Sequence, residues 1–198
     1  MSEVPHWEEH YRSGSPPWDS GRTSSELIRV VEAEHITACR AIELGCGTGT
    51  NAVWLAQQGF EVTAIDLVPL AIERAIDRAA KAGVKIRFLS LDLLTLQDLG
   101  APFDFLFDRG CYHAVRRQNA TGYLDAIDRL LRPGATALIL AGNAKEPHDP
   151  GPPVVSEEDL RSELGSRFEI IALREFRFDA VLGVDIEPLA WSCLLQKT

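Results

Sequence analysis

The 198-residue sequence has few of the features that mark membrane, secreted or nucleic-acid-binding proteins. No apolar run approaches the roughly 20 residues of a membrane-spanning helix, and the polar, acidic N-terminus has no hydrophobic signal segment. Basic residues are scarce, since 20 Lys and Arg stand against 29 Asp and Glu and give a formal net charge of −9. Because phosphate neutralisation needs clustered Lys and Arg, we expect no nucleic-acid partner. We expect a cytoplasmic protein that binds no membrane.

Cysteine is also sparse, and its spacing argues against both disulfides and metal. The four cysteines are far apart and form no CxxC pair: Cys39, Cys46, Cys111 and Cys193. Without an export signal, a disulfide framework is not expected. His35 and Cys39 would share one face of a helix, but two ligands do not complete a zinc site. We therefore expect buried thiols and no metal.

Short apolar runs alternate with amphipathic stretches along the chain, which is 45% hydrophobic. Such alternation predicts βαβ units and an α/β fold: a Rossmann-like, doubly wound, seven-stranded, mostly parallel sheet with helices on both faces. The last two strand candidates, FEIIALREFRF and EPLAWSCLLQK, predict an antiparallel edge hairpin. We expect residues 1–198 to form a single domain. Residues 1–22 would be an arm over the site, and the Pro-rich loop 143–155 a lid.

Helix boundaries are marked by capping residues. Ser24 or Ser25 is a candidate cap for the first long helix, and Pro69 and Gly83 bracket another. The segment GYLDAIDRLLRPG predicts a helix that Pro133-Gly134 stops. SEEDLRSEL begins with a capping box.

The segment AIELGCGTGT at residues 41–50 is the most informative part of the sequence. A predicted strand runs directly into Gly45, Gly47 and Gly49 and then into a helix, so a ligand can approach the backbone there. Asp66 ends the next strand, 21 residues after Gly45, where a carboxylate accepts hydrogen bonds from ribose hydroxyls. Together these features predict a nucleoside-containing cofactor.

Glu43, just before the glycine turn, distinguishes between cofactors. The third small residue of a dinucleotide fingerprint would fall at position 50, which is Thr50 here. A carboxylate beside the turn repels a pyrophosphate but helps to hold an ammonium group, directly or through water. S-adenosylmethionine (SAM) carries an ammonium and a sulfonium and no phosphate, so the charge pattern favours SAM.

The sequence ELGCGTG followed by AID resembles the first two motifs of class I SAM-dependent methyltransferases. Leu91-Asp92-Leu93 resembles the segment whose Asp meets the adenine amino group, FDFLFDRG the fourth motif, and LLRPGATALIL the fifth-strand signature. From the residues alone, Asp108 and Arg109 could also form a surface ion pair worth under about 1 kcal/mol. The cofactor contacts that the resemblance implies are Trp18, Glu43, Gly45, Cys46, Gly47, Gly49, Asp66, Leu67, Asp92, Leu93, Asp108 and Arg109.

The N-terminal arm carries Trp7, Tyr11 and Trp18, and it is similar to the arm of thiopurine, thiol, halide and tellurite methyltransferases. By that resemblance Trp18 of the PPWD segment lies against the donor sulfonium, where an aromatic face contributes about 0.5–2 kcal/mol. Trp7, Tyr11 and His148 are candidate substrate contacts. Alternatively, the three aromatic residues only hold the arm to the core.

The segment DRGC replaces the [DN]PP[YF] turn of enzymes that methylate base amines, so we expect a small-molecule acceptor. A thiol or other soft nucleophile needs only modest base assistance, whereas a phenol or heterocyclic NH needs a positioned base. Candidate bases are His113 and Tyr112, then His148 and Asp149, and His113 could equally be a structural histidine with satisfied hydrogen bonds. Cys111 is expected to be a packed thiol. An apolar acceptor pocket or the core would hold Phe176, Phe178 and Trp191.

Three readings stay open at this point. The first is a SAM-dependent methyltransferase of a soft nucleophile, acting as a monomer or weak dimer, and the second is the same enzyme class with an oxygen or nitrogen acceptor. The third is a SAM-binding protein without chemistry, or a nicotinamide oxidoreductase.

Overall fold

An eight-stranded sheet organises the chain, which a computed structural model describes for residues 7–14, 16–96, 99–147, 151–180 and 186–198. The strands are rich in aliphatic, β-branched or aromatic residues, as a sheet interior favours. The strands are β1 (Arg40–Leu44), β2 (Glu61–Asp66), β3 (Arg87–Ser90), β4 (Phe103–Arg109), β5 (Leu131–Asn143), β6 (Val154–Val155), β7 (Phe168–Arg177) and β8 (Leu189–Lys197).

The strand order confirms the predicted Rossmann-like architecture. Seven strands follow the order β3-β2-β1-β4-β5-β8-β7, in which β1 to β5 pair in parallel and β8 pairs antiparallel with both β5 and β7. The two-residue strand β6 pairs with β5 and was not predicted, because it lies inside the Pro-rich segment 143–155.

Helices connect the strands, and most of their ends follow the capping signals. The Ser24 side chain accepts a hydrogen bond from the Leu27 N–H, and the Ser156 side chain accepts one from the Asp159 N–H. Pro69 begins its helix, and Gly83 ends it with a left-handed φ of 70°. The helices are α1 (Trp7–Arg12), α2 (Ser25–Ala33), α3 (Thr50–Gln57), α4 (Pro69–Ala82), α5 (Cys111–Leu130) and α6 (Glu157–Leu164).

Helix α5 differs from its prediction at both ends. It begins at Cys111 rather than near Gly122, and it ends at Leu130, so Pro133-Gly134 falls inside β5. Asn119 interrupts the helix with φ −158° and ψ 85°, and its side chain accepts a hydrogen bond from the Gly122 N–H at 2.8 Å. This internal cap explains why the sequence signalled a helix start near Gly122.

Two apolar clusters cover the two faces of the sheet. Adjacent strand residues alternate between the clusters: Leu106 packs on one side, and Phe105 and Phe107 on the other. Helices α5 and α6 cover the first face, and α2, α3 and α4 cover the second. Within the described ranges no helix is long and apolar enough to cross a bilayer.

The order of strands reverses between β1 and β4. Strand β1 leads outward to β2 and β3, whereas β4 leads to β5 on the other side, and the Cα of Leu44 pairs with that of Asp108 at the carboxyl ends. Open α/β sheets bind ligands in the crevice at such a switch point. The glycine turn begins there, one residue after Leu44.

Candidate active site

The glycine turn packs closely against its neighbours. Gly47 has φ +54°, and a Cβ added there would lie 3.2 Å from the Tyr11 hydroxyl. Gly49 has φ +79°, and an added Cβ would lie 2.8 Å from the Ala75 Cβ of α4. Both the conformation and the space therefore require glycine at Gly49. The turn is closed further by a hydrogen bond from the Cys46 N–H to the Ile65 carbonyl at 2.9 Å.

Asp66 holds the turn from the end of β2. Its carboxylate accepts hydrogen bonds from the Gly47 N–H at 2.8 Å and the Val68 N–H at 2.9 Å. Burial raises the pKa of the Asp66 carboxyl, although these backbone donors oppose the shift. A carboxylate oxygen can accept more than one hydrogen bond, so Asp66 retains capacity for a ligand hydroxyl.

Glu43 is a buried carboxyl that lacks one partner. It is 2% exposed, and its Oε1 accepts a hydrogen bond from the Asn51 side chain at 3.2 Å. Its Oε2 has no hydrogen-bond partner among the described residues, and Glu43 lines the cleft beside the turn. Burial raises the pKa of Glu43 to about 8. A buried oxygen without a partner is costly, so a donor in the cleft would stabilise the ionised carboxylate.

The N-terminal arm forms the opposite wall of the cleft. Trp18 lies among aromatic rings, with the Trp7 ring centroid at 5.1 Å and that of Tyr11 at 6.0 Å. The indole N–H of Trp18 donates to the Tyr11 hydroxyl at 3.4 Å. Tyr11 and Trp18 line the cleft, whereas Trp7 packs behind them.

The cleft between turn and arm carries charges of both signs. Arg109 donates to the Trp18 carbonyl at 3.1 Å, and its guanidinium lies 4.9 Å from the centroid of the Phe178 ring. The cleft holds about 450 Å³ of space, including the part open to solvent. Its lining residues are Tyr11, Trp18, Asp19, Ser20, Arg22, Glu43, Gly45, Cys46, Gly47, Thr48, Thr50, Asn51 and Arg109.

Several of these lining residues were not predicted. Asp19 of the PPWD segment had no expected role, and Asn51 was expected only to lie in the first turn of a helix. Asn51 also accepts a hydrogen bond from the Ser24 N–H at 2.9 Å, which fixes the amide that contacts Glu43. A polar residue in the first helical turn after a glycine turn was the available signal.

Leu67 and Asp92 lie close to Asp66 and are not among the residues that line the cleft. The Leu91 N–H donates to the Asp66 carbonyl at 3.0 Å, which places Asp92 next to the Asp66-Leu67 segment. The Asp92 side chain accepts from the Leu94 N–H at 2.9 Å and begins a 3₁₀ turn, whereas the Leu67 side chain is 46% exposed. Leu93 is buried in the core, so its side chain packs rather than facing a ligand.

Asp108 has a structural role that the sequence did not indicate. Its carboxyl is fully buried and accepts hydrogen bonds from the Cys111 N–H at 2.9 Å, the Tyr112 N–H at 2.9 Å and the Tyr123 hydroxyl at 2.7 Å. Burial raises its pKa to about 7. The alternative of a surface ion pair is therefore wrong, because Asp108 is buried and its oxygens bind the first turn of α5 and Tyr123. Its contact with the cofactor stays a prediction.

The two candidate bases after β4 are both occupied. His113 Nδ1 accepts a hydrogen bond from the Gly142 N–H at 2.9 Å, and burial, assisted by Arg109, lowers its pKa to about 3. The Tyr112 hydroxyl donates to Glu163 at 2.9 Å, and burial raises its pKa. Neither geometry fits the predicted general base. His148 and Asp149 lie outside the described residues.

The remaining candidates belong to the core. Trp191 is buried and its indole N–H donates to the Val155 carbonyl at 2.9 Å, so it does not line an acceptor pocket. Phe178 is also buried and packs against Phe176, with ring centroids 5.2 Å apart. All four cysteines, which lie within the described ranges, have free thiols.

Residues 2–192 match the family model described as Thiopurine S-methyltransferase (TPMT). The chain belongs to the thiopurine S-methyltransferase family. It is therefore a SAM-dependent methyltransferase of the small-molecule type, as the resemblance of its motifs implied. This result sets aside the nicotinamide oxidoreductase reading.

Individual relatives agree with this family. The chain is 30% identical over 173 residues to the probable thiol methyltransferase 2 of Arabidopsis thaliana, covering 84% of this chain and 75% of that protein. It is 29% identical over 156 residues to the 2-heptyl-1-hydroxyquinolin-4(1H)-one methyltransferase of Mycobacteroides abscessus, covering 77% and 68%. A structure solved in work on the conversion of a disulfide bond into a thioacetal group during echinomycin biosynthesis aligns with a TM-score of 0.82 and 28% identity, covering 94% of this chain and 88% of that one.

Proposed function

We propose that this member of the family transfers the methyl group of SAM to a small-molecule thiol or another soft nucleophile. The observation that carries the proposal is the state of the two residues best placed to act as bases. His113 is buried and hydrogen-bonded, with a pKa lowered to about 3, and the Tyr112 hydroxyl is bound to Glu163. An acceptor that ionises by itself near neutral pH needs no such base.

Residues of the cleft and of the segments after β2 and β3 offer groups that suit SAM. The orphaned Oε2 of Glu43 is the proposed partner of the ammonium group, and Asp66 is the proposed acceptor for the ribose hydroxyls. Exposed Leu67 and neighbouring Asp92 are the proposed contacts of the adenine ring. Trp18 is the proposed aromatic neighbour of the sulfonium. When bound, SAM supplies an electrophilic methyl group on a positively charged sulfur.

The protein's part in the reaction is to orient and to exclude water. The thiol loses its proton to solvent, and the thiolate then forms the new carbon–sulfur bond as the donor's carbon–sulfur bond breaks. Arg22 and Arg109 on the cleft wall favour an anionic acceptor over a neutral one. Alignment of the two reactants alone contributes up to about 7–11 kcal/mol. The arm is proposed to cover the site during this step.

The relatives support a sulfur acceptor, and one of them favours a second candidate. The Arabidopsis relative is named as a thiol methyltransferase, and the aligned structure comes from sulfur chemistry. The Mycobacteroides relative is named for a hydroxyquinolone, which favours a heterocycle methylated at oxygen or nitrogen. Such an acceptor would need a base supplied by residues other than His113 and Tyr112.

A panel of acceptors tests the proposal. Purified protein is given SAM with small thiols, halides, phenols and heterocycles, and release of S-adenosylhomocysteine (SAH) is measured. We expect turnover with thiols, and a pH profile of kcat/KM whose inflection moves with the pKa of the thiol used. Turnover with phenols or heterocycles alone, with an inflection near pH 6–7 for every acceptor, would contradict a thiol acceptor.

The domain organisation, oligomeric state, location and partners of the protein are also proposals. We infer a single domain over residues 1–198, with residues 1–22 as an arm over the site. The predicted lid 143–155 is proposed only for the loop between β5 and β6, because Asn143 and Val154–Val155 belong to these strands. We further propose a cytoplasmic monomer or weak dimer that does not bind nucleic acid. The net charge of −9 supports the last point.

A further inference from the structure

Two arginines of α4 extend from the helix toward the cleft without lining it. Arg74 donates to two carbonyls of the arm, that of Tyr11 at 2.6 Å and that of Gly14 at 2.8 Å. Arg78 donates to the Thr48 carbonyl at 2.9 Å and to the Thr48 hydroxyl at 3.1 Å. The two arginines are four residues apart, so they share one face of the helix.

Thr48 joins the glycine turn to the arm. Its hydroxyl donates to the Asp19 carboxylate at 2.8 Å while it accepts from Arg78. The arm is thus held by Arg74 at Tyr11 and Gly14 and by Thr48 at Asp19, in addition to the hydrogen bond from Arg109 to the Trp18 carbonyl. One helix therefore connects both walls of the cleft, although neither arginine lines it.

A small apolar cluster accompanies these hydrogen bonds. The arm packs through a small cluster in which Tyr11 is the buried arm residue, with Trp7 and Trp18 partly buried beside it. Each of these guanidinium groups is a rigid, planar fork that contacts two acceptors. Removal of either side chain removes two charge-assisted hydrogen bonds to the arm or to the turn. The polar attachment through α4 therefore acts together with this packing to hold the arm to the turn.

We propose that Arg74 and Arg78 are positioning residues that clamp the arm onto the glycine turn and so limit the rate at which SAM and SAH leave the cleft. The inference rests on the proposed function, because it takes the ligand of this cleft to be SAM. The arm is one wall of the cleft, and a ligand held between Trp18 and the turn is released when that wall separates. Dissociation then requires the contacts of the arm with Arg74, Thr48 and Arg109 to break.

The test compares Arg74→Ala with the unaltered full-length protein. Alanine favours helix, so the substitution does not weaken α4 itself. We expect the dissociation rate of SAH, measured by stopped-flow displacement, to rise about tenfold or more, with a matching rise in Kd. Arg74→Lys should fall between the two, because an ammonium keeps the charge but lacks the planar fork. Arg78→Ala, which loosens the turn side of the clamp, should act in the same direction.

A control and an arm-specific readout separate clamping from general damage. Lys81→Ala removes one positive charge from an exposed position of the same helix and should stay within twofold of the unaltered protein. Trypsin cleavage after Arg12, whose side chain is 69% exposed, reports opening of the arm. We expect SAH to slow this cleavage in the unaltered protein and to slow it far less in Arg74→Ala.

The outcomes are distinct. A dissociation rate in Arg74→Ala within twofold of the unaltered protein would overturn this inference alone, and so would an equal rise in Lys81→Ala. An unaltered protein that binds no SAH would instead overturn the proposed function, and the inference with it.

Discussion

The buried carboxyl of Glu43 makes ligand binding depend on pH. In the ligand-free cleft, burial raises its pKa to about 8, so Glu43 is mostly protonated at neutral pH. An ammonium group beside Oε2 stabilises the ionised form. Binding of SAH, which has the amine but no sulfonium, must therefore release a proton from Glu43.

The size of the effect follows from the pKa. The raised value of about 8 means that each pH unit below it costs close to a factor of ten in Kd, or about 1.4 kcal/mol. Between pH 6 and 7.5 the Kd for SAH should fall roughly twentyfold, and close to one proton should be released per SAH bound at pH 7. The window ends at pH 7.5 because the dependence flattens as the pH approaches the pKa of Glu43.

Isothermal titration in buffers of different ionisation enthalpy measures both quantities. Glu43→Gln retains the shape and the Asn51 contact but cannot ionise, so its Kd should be independent of pH in this window. Its Kd at pH 7.5 should be roughly tenfold higher or more, since a hydrogen bond to a charged group contributes about 1.5–3 kcal/mol. A flat profile in the unaltered protein, or an equally steep one in Glu43→Gln, would refute the reasoning.

Three further substitutions test other contacts. Asp66→Ala should weaken SAH binding by about 1–3 kcal/mol, as measured by calorimetry, because ribose hydroxyls lose their acceptor; unchanged affinity would contradict that assignment. Gly49→Ala should lower the free energy of unfolding by about 1–3 kcal/mol in urea titration, since its Cβ would lie 2.8 Å from Ala75 Cβ at φ +79°. Tyr123→Phe should lower the free energy of unfolding by a similar amount, about 1–3 kcal/mol, because buried Asp108 loses a donor at 2.7 Å; equal urea midpoints for Tyr123→Phe and the unaltered protein would show that this contact is not stabilising.

The sequence predicted the fold well, and it predicted that the glycine turn and the end of β2 lie together, because both depend on local pattern. Strand–turn–helix periodicity and the fixed spacing from the glycines to Asp66 are set by the backbone of one βαβ unit. Glu43 next to Gly45 is equally local. For these residues, chain neighbours are also neighbours in space.

The surroundings of His113 and Asp108 could not be predicted, because they are set by contacts between distant parts of the chain. Whether His113 can act as a base depends on the Gly142 N–H and on burial, neither of which a single histidine in a sequence reveals. Asp108 resembled a site acid, but Tyr123, fifteen residues later, and the first turn of α5 occupy its oxygens. The clamp by Arg74 joins segments about 60 residues apart and has no local signal.

Calorimetric titration of the full-length protein with SAH tests the central claim most directly. We predict saturable binding of one SAH per chain at pH 7.5, with no measurable binding of NAD. Binding of NAD without SAH, or of neither, would contradict a SAM site at the turn after β1.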